Sequence, residues 1–236
     1  MRAAICDDET RFIDELKEII AHWNGGAVDV SCFESAEALE AACDKEPFDI
    51  AFIDVELGSE NGVALARRLS ENCPAMKVVF ITAFVVEYAE RIFLGITPYG
   101  FVGKPLAESK IHYYLTRLDK EMQRANCHLS VQTSGLAAKV LAGDIIFAES
   151  EKRVVHIHCV GGTITVYERL DDIEKRLDDR FVRCHQSFLV NMDFISRLDG
   201  GTFILKDKTF APVRISHNRL GETRRKYFGY VGRDLL

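Results

Sequence analysis

Short apolar runs alternate with helical patterns through the first half of the chain. The runs predict buried strands at residues 3–6, 28–33, 50–53, 78–81 and 99–102. Between them, apolar residues recur at the spacing of one helix face, which predicts helices at residues 11–23, 35–43, 63–69, 86–94 and 106–122. Five strands that alternate with five helices predict an α/β fold, a doubly wound five-stranded parallel sheet with helices on both faces.

The pattern changes after residue 120. Strand-like segments dominate from there, at residues 129–133, 138–141, 145–149, 154–160, 163–167, 188–191, 195–198, 202–205 and 209–213. One helical pattern, at residues 170–177, interrupts them. We therefore expect a first domain at residues 1–120, a polar linker at 121–127, and a second, mainly β domain at 128–236.

The two halves also differ in charge. Residues 1–120 contain 12 Lys and Arg against 21 Asp and Glu, a balance of −9; the remaining residues have a balance of +3, and the sum is −6. This asymmetry indicates two domains with different partners.

Composition and the start of the chain exclude several other classes. With 47% hydrophobic and 28% charged residues, the composition is not that of a disordered or collagen-like protein. No apolar run approaches the roughly 18 residues that a membrane span needs. The start of the chain has no secretory pattern, so we expect a cytoplasmic protein without a membrane partner, whose seven cysteines are reduced thiols.

Polar side chains follow four of the predicted parallel strands. Asp7 and Asp8 follow the first strand, and Asp54 follows the third. Thr82 follows the fourth strand, and Lys104 lies just beyond the fifth. Ligands of such sheets bind outside the carboxyl ends of the strands, so this edge is the expected site.

The chemistry of this edge follows from its charges. Clustered carboxylates repel one another unless a cation lies among them, and an all-oxygen ligand set favours Mg²⁺. A carboxylate at such a site can attack phosphorus and form an aspartyl phosphate. Lys104 can then neutralise the phosphoryl oxygens, and Thr82 can donate a hydrogen bond to them.

The first 120 residues resemble the flavodoxin-like receiver domain of two-component response regulators. The motifs that carry the resemblance are Asp7-Asp8, Asp54 within FIDVELGSENG, Thr82-Ala83 within FITAF, and Lys104-Pro105 within FVGKPL. The resemblance implies that Asp54 accepts a phosphoryl group from a sensor histidine kinase. It also implies that Mg²⁺ is held by Asp7, Asp8, Asp54 and the backbone carbonyl of Glu56.

The resemblance further implies a switch made of Thr82 and Phe101. The hydroxyl of Thr82 would move to the phosphate while the ring of Phe101 turns inward. Receivers often carry tyrosine at the position of Phe101, and many carry proline where this chain has Gly58. We expect the first difference to leave the switch to ring packing, and the second to make the loop more flexible.

Basic and amide side chains lie near predicted turns of the second half. Arginine and glutamine are suited to reading base edges, whereas lysine and other arginines suit contacts to DNA phosphates.

A metal site in the second half has less support than DNA binding. His156 and His158 share one strand face, but no second ligand pair follows at suitable spacing.

The segment RFVRCHQSFLVNMDFI at residues 180–195 resembles the signature of the LytTR DNA-binding domain. The flanking GDIIFAESEKR, the helix at 170–177 and FAPVRIS agree with it. The resemblance implies a compact all-β domain that lays loops into successive grooves of double-stranded DNA. Its matching positions imply that the residues facing DNA are Lys152, Arg153, Arg169, His185, Gln186 and Arg214.

Within that set, Gln186 and Arg214 are expected to contact bases. Many relatives carry arginine at the position of Gln186, so the preferred DNA sequence is expected to differ. Cys184 has a counterpart in relatives for which redox sensing has been proposed, but the sequence near Arg214 offers it no partner, so we expect an inert thiol.

These features predict a transcriptional regulator and not an enzyme. Phosphorylation of Asp54 would promote a homodimer that binds promoter repeats, and any autodephosphorylation would belong to signalling. One alternative is an aspartate-based phosphohydrolase, although such enzymes usually need a second Asp where this chain has Glu56. The other alternative is a phosphorylation-gated protein-interaction module that never touches DNA.

Overall fold

The computed structural model describes residues 1–58, 60–83, 97–133 and 136–232. The chain divides into two units, Met1–Glu121 and Met122–Leu236. Each unit has its own hydrophobic core. Within the described ranges, no helix combines the length and the apolar character that crossing a membrane requires.

The first unit is built on a parallel sheet. Its elements are β1 (Arg2–Cys6), α1 (Thr10–Ala21), β2 (Asp29–Phe33), α2 (Ala36–Cys43), β3 (Ile50–Asp54), β4 (Glu56–Leu57), β5 (Glu60–Asn61), α3 (Gly62–Asn72), β6 (Lys77–Thr82), β7 (Gly100–Gly103) and α4 (Glu108–Ala125). The sheet has the order β2-β1-β3-β6-β7, and all its neighbouring strands run parallel. β4 and β5 form a separate two-stranded ribbon.

Burial of both sheet faces explains the apolar runs of the first half. The central strand β3 is buried along its whole length. Because successive residues of a strand face opposite sides, Ala4 and Cys6 of β1 share one face, where they pack with α2 and α3. The indole of Trp23, two residues beyond the end of α1, donates a hydrogen bond of 3.0 Å to Thr116 Oγ1 of α4.

The predicted α/β fold and all five of its strands are confirmed, each strand to within one residue. Ser35 caps α2, as expected, by accepting a hydrogen bond of 3.3 Å from the backbone N–H of Ala38. The helix predicted at 86–94 lies outside the described residues. The segment 121–127, predicted as a linker, is helical up to Ala125, and an ion pair between Arg117 and Glu121 one turn apart supports the extension.

The second unit is mainly β. Its elements are β8 (His128–Thr133), β9 (Leu136–Leu141), β10 (Ile145–Glu151), β11 (Val154–Cys159), β12 (Gly162–Val166), α5 (Leu170–Glu174), β13 (Phe181–His185), β14 (Phe188–Asn191), β15 (Ile195–Asp199), β16 (Thr202–Leu205), β17 (Val213–Arg214) and α6 (Leu220–Val231). An antiparallel sheet of order β12-β11-β10-β14-β13 lies at its centre, beside the smaller sheets β15-β16-β17 and β8-β9.

Both faces of the central antiparallel sheet are buried. Leu189 of β14 packs in a cluster that includes residues of β8 and α5. The next residue, Val190, packs in a second cluster with residues of β16 and α6. A sheet covered on both faces needs apolar residues on both, so its strands read as apolar runs rather than as strict alternation.

Four features of this unit differ from the predictions. The helix predicted at 170–177 ends at Glu174. Strand β13 replaces the predicted connecting segment, and α6 was not predicted, so the unit is not entirely β. Of the strand predicted at 209–213, only Val213 is in a strand, the two-residue β17, which pairs with β16. Pro212, just before it, has no backbone N–H to donate. The carboxylate of Asp207 also turns the chain there by accepting a hydrogen bond of 2.9 Å from the N–H of Thr209.

Candidate functional site

The strand ends of the first unit bring the predicted polar residues to one edge of the sheet. Asp7 and Asp8 follow β1, and Asp54 is the last residue of β3. Thr82 ends β6, and Lys104 follows β7 directly. β2 lies on one side of β1 and β3 on the other, so the strand order reverses between β1 and β3. The carboxylates lie at this switch point, where ligands bind in such folds.

Lys104 joins two of the carboxylates. Its Nζ atom lies 2.6 Å from Oδ2 of Asp54 and 2.9 Å from Oδ2 of Asp7. The ammonium group also lies 3.7 Å from the centre of the Phe12 ring, a cation–π distance. The Lys104 side chain is only 10% exposed, so this positive charge is directed at its neighbours rather than at water.

Burial and charge both perturb this cluster. Burial raises the pKa of Asp54; the hydrogen bond from Lys104 opposes that shift, and the charge of Asp7 adds to it. Burial alone would lower the pKa of Lys104, but its hydrogen bonds to Asp54 and Asp7 outweigh burial and raise it. The backbone N–H of Glu56 donates to Oδ1 of Asp54 at 3.3 Å and orients that carboxylate.

The donor set fits a hard divalent cation. One carboxylate oxygen from each of Asp7, Asp8 and Asp54 lies within 4.8 Å of the other two. Asp7 and Asp54 are buried, whereas Asp8 is exposed. Because every donor is an oxygen, the site suits Mg²⁺ better than a thiophilic metal. The backbone N–H of Glu56 donates to Asp54. Coordination of Mg²⁺ by the backbone carbonyl of Glu56 stays a prediction.

A cavity of about 410 Å³ opens beside the cluster, lined by residues that include Asp8, Phe12, Asp54, Gly58 and Lys104. Gly58 has a φ of 55°, which proline cannot adopt. The backbone of this loop therefore differs from that of receiver domains that carry proline at this position. The residue before it, Leu57, pairs with Glu60 in the β4-β5 ribbon.

The predicted switch residues occupy the neighbouring strands. Thr82 is buried, and its backbone carbonyl accepts a hydrogen bond of 2.9 Å from the N–H of Lys104. Phe101 stacks on Phe80 with ring centroids 5.8 Å apart. The hydroxyl of Tyr114 accepts a hydrogen bond of 3.1 Å from the N–H of Phe101, a contact that the sequence pattern did not indicate.

The predicted DNA-facing residues of the second unit fall into two groups. A concave surface of about 660 Å³, which we call the basic concavity, is lined by residues that include Lys152, Arg153, Arg169 and Gln186. Lys152 and Arg153 form the tight turn between β10 and β11. His185 and Arg214 instead line a separate, partly aromatic cavity of about 840 Å³.

Two residues of the basic concavity were missed as site residues. Tyr167 is 81% exposed, which is unusual for a large aromatic side chain. Arg183 lines the same surface but is nearly buried. Tyr167, two residues before the predicted contact Arg169, was a weak hint of the first. Arg183 lies within the signature at residues 180–195 but was not assigned a role there.

Comparison with known proteins agrees with this architecture. The response regulator receiver domain family matches residues 3–116, and the LytTr DNA-binding domain family matches residues 137–226. The sensory transduction protein LytT of Bacillus subtilis (strain 168) is 30% identical over 230 residues, covering 90% of this chain and 94% of LytT. The chain belongs to the response regulators that carry a LytTR DNA-binding domain.

Another relative is similar to this response regulator over almost its full length. The transcriptional regulatory protein YpdB of Escherichia coli (strain K12) is 25% identical over 243 residues, 95% of this chain and 98% of YpdB. The crystal structure of the response regulatory domain of protein mrkE from Klebsiella pneumoniae is 26% identical, covers 52% of this chain and 99% of that domain, and has a TM-score of 0.47.

The two histidines that suggested a metal site and the cysteine Cys184 take no part in a metal cluster within the part of the chain that the structure describes. His156 and His158 contact the hydroxyls of Thr165 and Thr163 through Nδ1, at 2.9 and 3.0 Å. Across the described ranges, only the three aspartates at the sheet edge form a group of three or more metal-ligating side chains. Cys184 is fully buried, and burial raises its pKa to about 12, which disfavours the reactive thiolate.

Proposed function

We propose that Asp54 of this response regulator accepts a phosphoryl group from a sensor histidine kinase, and that this event promotes binding to promoter DNA. The observation that carries the proposal is the position of Lys104 between Asp7 and Asp54, two carboxylates that cluster with that of Asp8. Such a cluster holds a nucleophilic carboxylate and a cation for the incoming oxygens in one place.

The transfer exchanges one bond for another. A carboxylate oxygen of Asp54 forms a bond to phosphorus while the phosphorus–nitrogen bond of the kinase phosphohistidine breaks, and the electron pair returns to the imidazole. Lys104 binds a phosphoryl oxygen in place of its contact with Asp54, and Thr82 donates its hydroxyl to another. Mg²⁺, held by Asp7, Asp8, Asp54 and the Glu56 carbonyl, would neutralise further charge on the phosphoryl group.

The response passes through the neighbouring strands. When Thr82 turns towards the phosphoryl oxygens, space beside β7 changes, and Phe101 moves inward along Phe80. This movement favours a conformation in which the surface around β7 can form a dimer interface. That surface then pairs with the same surface of a second copy of the protein. In the dimer, two DNA-binding domains meet promoter repeats together, and the second binds at raised effective concentration.

DNA recognition divides between direct base contacts and phosphate contacts. Gln186 and Arg214 are exposed; the glutamine amide offers a donor and an acceptor to a base edge, and the arginine guanidinium offers paired donors. Lys152, Arg153 and Arg169 bind backbone phosphates, and His185 adds a contact at the edge of the second cavity. The expected cytoplasmic location belongs to this proposal, since a DNA-binding regulator works where the chromosome lies.

Random-oligonucleotide selection with the full chain, with and without a small-molecule phosphodonor and Mg²⁺, tests the proposal. We expect one enriched sequence, present as a repeat, and tighter binding after stoichiometric phosphorylation. Continuous turnover of phosphate esters would instead support a phosphohydrolase. Phosphorylation without enrichment of any DNA would support a protein-interaction module.

A further inference from the structure

A nearly buried arginine holds the turn that presents Gln186. The side chain of Arg183, on β13, is 9% exposed. Its Nε donates to the backbone carbonyl of His185 at 2.8 Å, and its Nη2 donates to the carbonyl of Gln186. One guanidinium group therefore binds two successive carbonyls of the turn between β13 and β14.

The same guanidinium group is anchored to α5. Its Nη1 atom lies 3.1 Å from a carboxylate oxygen of Asp171 and 3.2 Å from one of Glu174. The residue that precedes α5 is Arg169, another lining residue of the basic concavity. Because a guanidinium is a rigid planar fork, Arg183 sets the spacing between the turn with Gln186 and the start of α5.

The contacts of Arg183 separate its role from that of a phosphate-binding residue. Its donors are directed at two carbonyls and two carboxylates of its own domain, whereas Lys152 and Arg169 are exposed. A turn that is held before DNA arrives loses less conformational entropy on binding. Lysine in its place would keep the charge but, as a point charge on a flexible stem with three donors, could not contact both carbonyls and both carboxylates at once.

We propose that Arg183 is a positioning residue for sequence readout: it preorganises the His185–Gln186 turn against α5. This inference rests on the proposed DNA contacts of the basic concavity. Arg183 then influences which DNA sequence is bound, and it makes no direct contact with DNA phosphates.

The test compares Arg183→Lys with the wild-type full chain in two measurements. Without DNA, we expect faster amide hydrogen exchange in a peptide covering residues 185–187. With DNA, we expect affinity for the selected site to fall on the order of tenfold, as for one mismatched base pair, while affinity for an unrelated duplex and the salt dependence stay unchanged. Arg197→Lys, at an arginine that is 65% exposed on β15, should leave both measurements unchanged.

A second variant guards against failure to fold. Glu174→Gln weakens one anchor of Arg183 and keeps the bonds to the turn, so it should produce a smaller change of the same kind. An equal loss on both duplexes with a weaker salt dependence would make Arg183 a phosphate contact and overturn the inference. Wild-type exchange and affinity in both variants would also overturn it, whereas a wild type that selects no DNA would overturn the proposed function as well.

Discussion

The ammonium nitrogen of Lys104 lies 2.6 Å from a carboxylate oxygen of Asp54, although 50 residues separate them in the chain. Both side chains are largely shielded from solvent, at 10% and 7% exposure. The same ammonium contacts Asp7, so one positive charge faces two buried carboxylates. This imbalance underlies the stability, the cation affinity and the phosphoacceptor chemistry that we predict.

Removal of the Lys104 ammonium is expected to destabilise the protein at pH 7. Lys104→Met leaves the Asp7 and Asp54 carboxylates without their cation, and the loss of one partner of a buried ion pair costs about 3–5 kcal/mol. Adding Asp54→Asn should recover part of that loss, because one buried charge then disappears. Urea unfolding of the two single variants and the double variant measures this coupling. The control is Lys110→Met at an exposed position of α4, which should leave the free energy of unfolding nearly unchanged. If the changes in free energy of unfolding caused by Lys104→Met and Asp54→Asn were strictly additive, the prediction would be contradicted.

Asp54→Asn should by itself stabilise the protein at neutral pH. Since the pKa of Asp54 is raised in the folded protein, the stability it contributes is present below its ordinary pKa of 3.8 and is lost as pH rises through the raised value. The variant should therefore exceed the wild type in free energy of unfolding at pH 7. Below pH 3.8 the difference should vanish; a difference that grows on acidification would contradict the assignment.

Phosphoryl transfer to Asp54 can be followed with a radiolabelled acyl phosphate and Mg²⁺. We expect one phosphoryl group per wild-type chain and no label on Asp54→Asn, because the nucleophilic oxygen is gone. Asp14→Asn, at an exposed position of α1, should label like the wild type. Persistent labelling of Asp54→Asn would place the acceptor at another residue.

Mg²⁺ should raise the melting temperature of the wild type. A cation that binds only the folded state stabilises it by about 1.4 kcal/mol at ten times its dissociation constant. Asp8→Asn removes one of the three clustered carboxylates and should weaken the effect, although Asp8 is exposed and contributes little to the core. Thermal unfolding at constant ionic strength, with Na⁺ replacing Mg²⁺, checks this, and an identical Mg²⁺ response in both proteins would argue against the site.

Gln186 and Lys152 should affect DNA binding in different ways. Gln186→Ala should relax the base preference at one position and leave the salt dependence unchanged. Lys152→Asn should weaken binding to all sequences and reduce the salt slope by about 0.9, the value for one phosphate contact. Asparagine is chosen because Lys152 has a φ of 56°, a conformation that asparagine tolerates. Equal effects of the two substitutions in a salt titration would refute this division of roles.

The sequence alone determined the first domain and its site. In a parallel sheet all carboxyl ends meet at one edge, so the polar residues at the end of each apolar run, such as Asp54 at the end of β3, had to come together. Only the tertiary structure decided how the second domain is arranged. Its antiparallel pairings and turns bring together residues that share no periodic spacing, as when Arg183 contacts Asp171, Glu174 and the Gln186 carbonyl. For the same reason α6 and the separation of Arg214 from Gln186 emerged only from the packed structure: they depend on which apolar faces cover the central sheet, and no local pattern of residues encodes that choice.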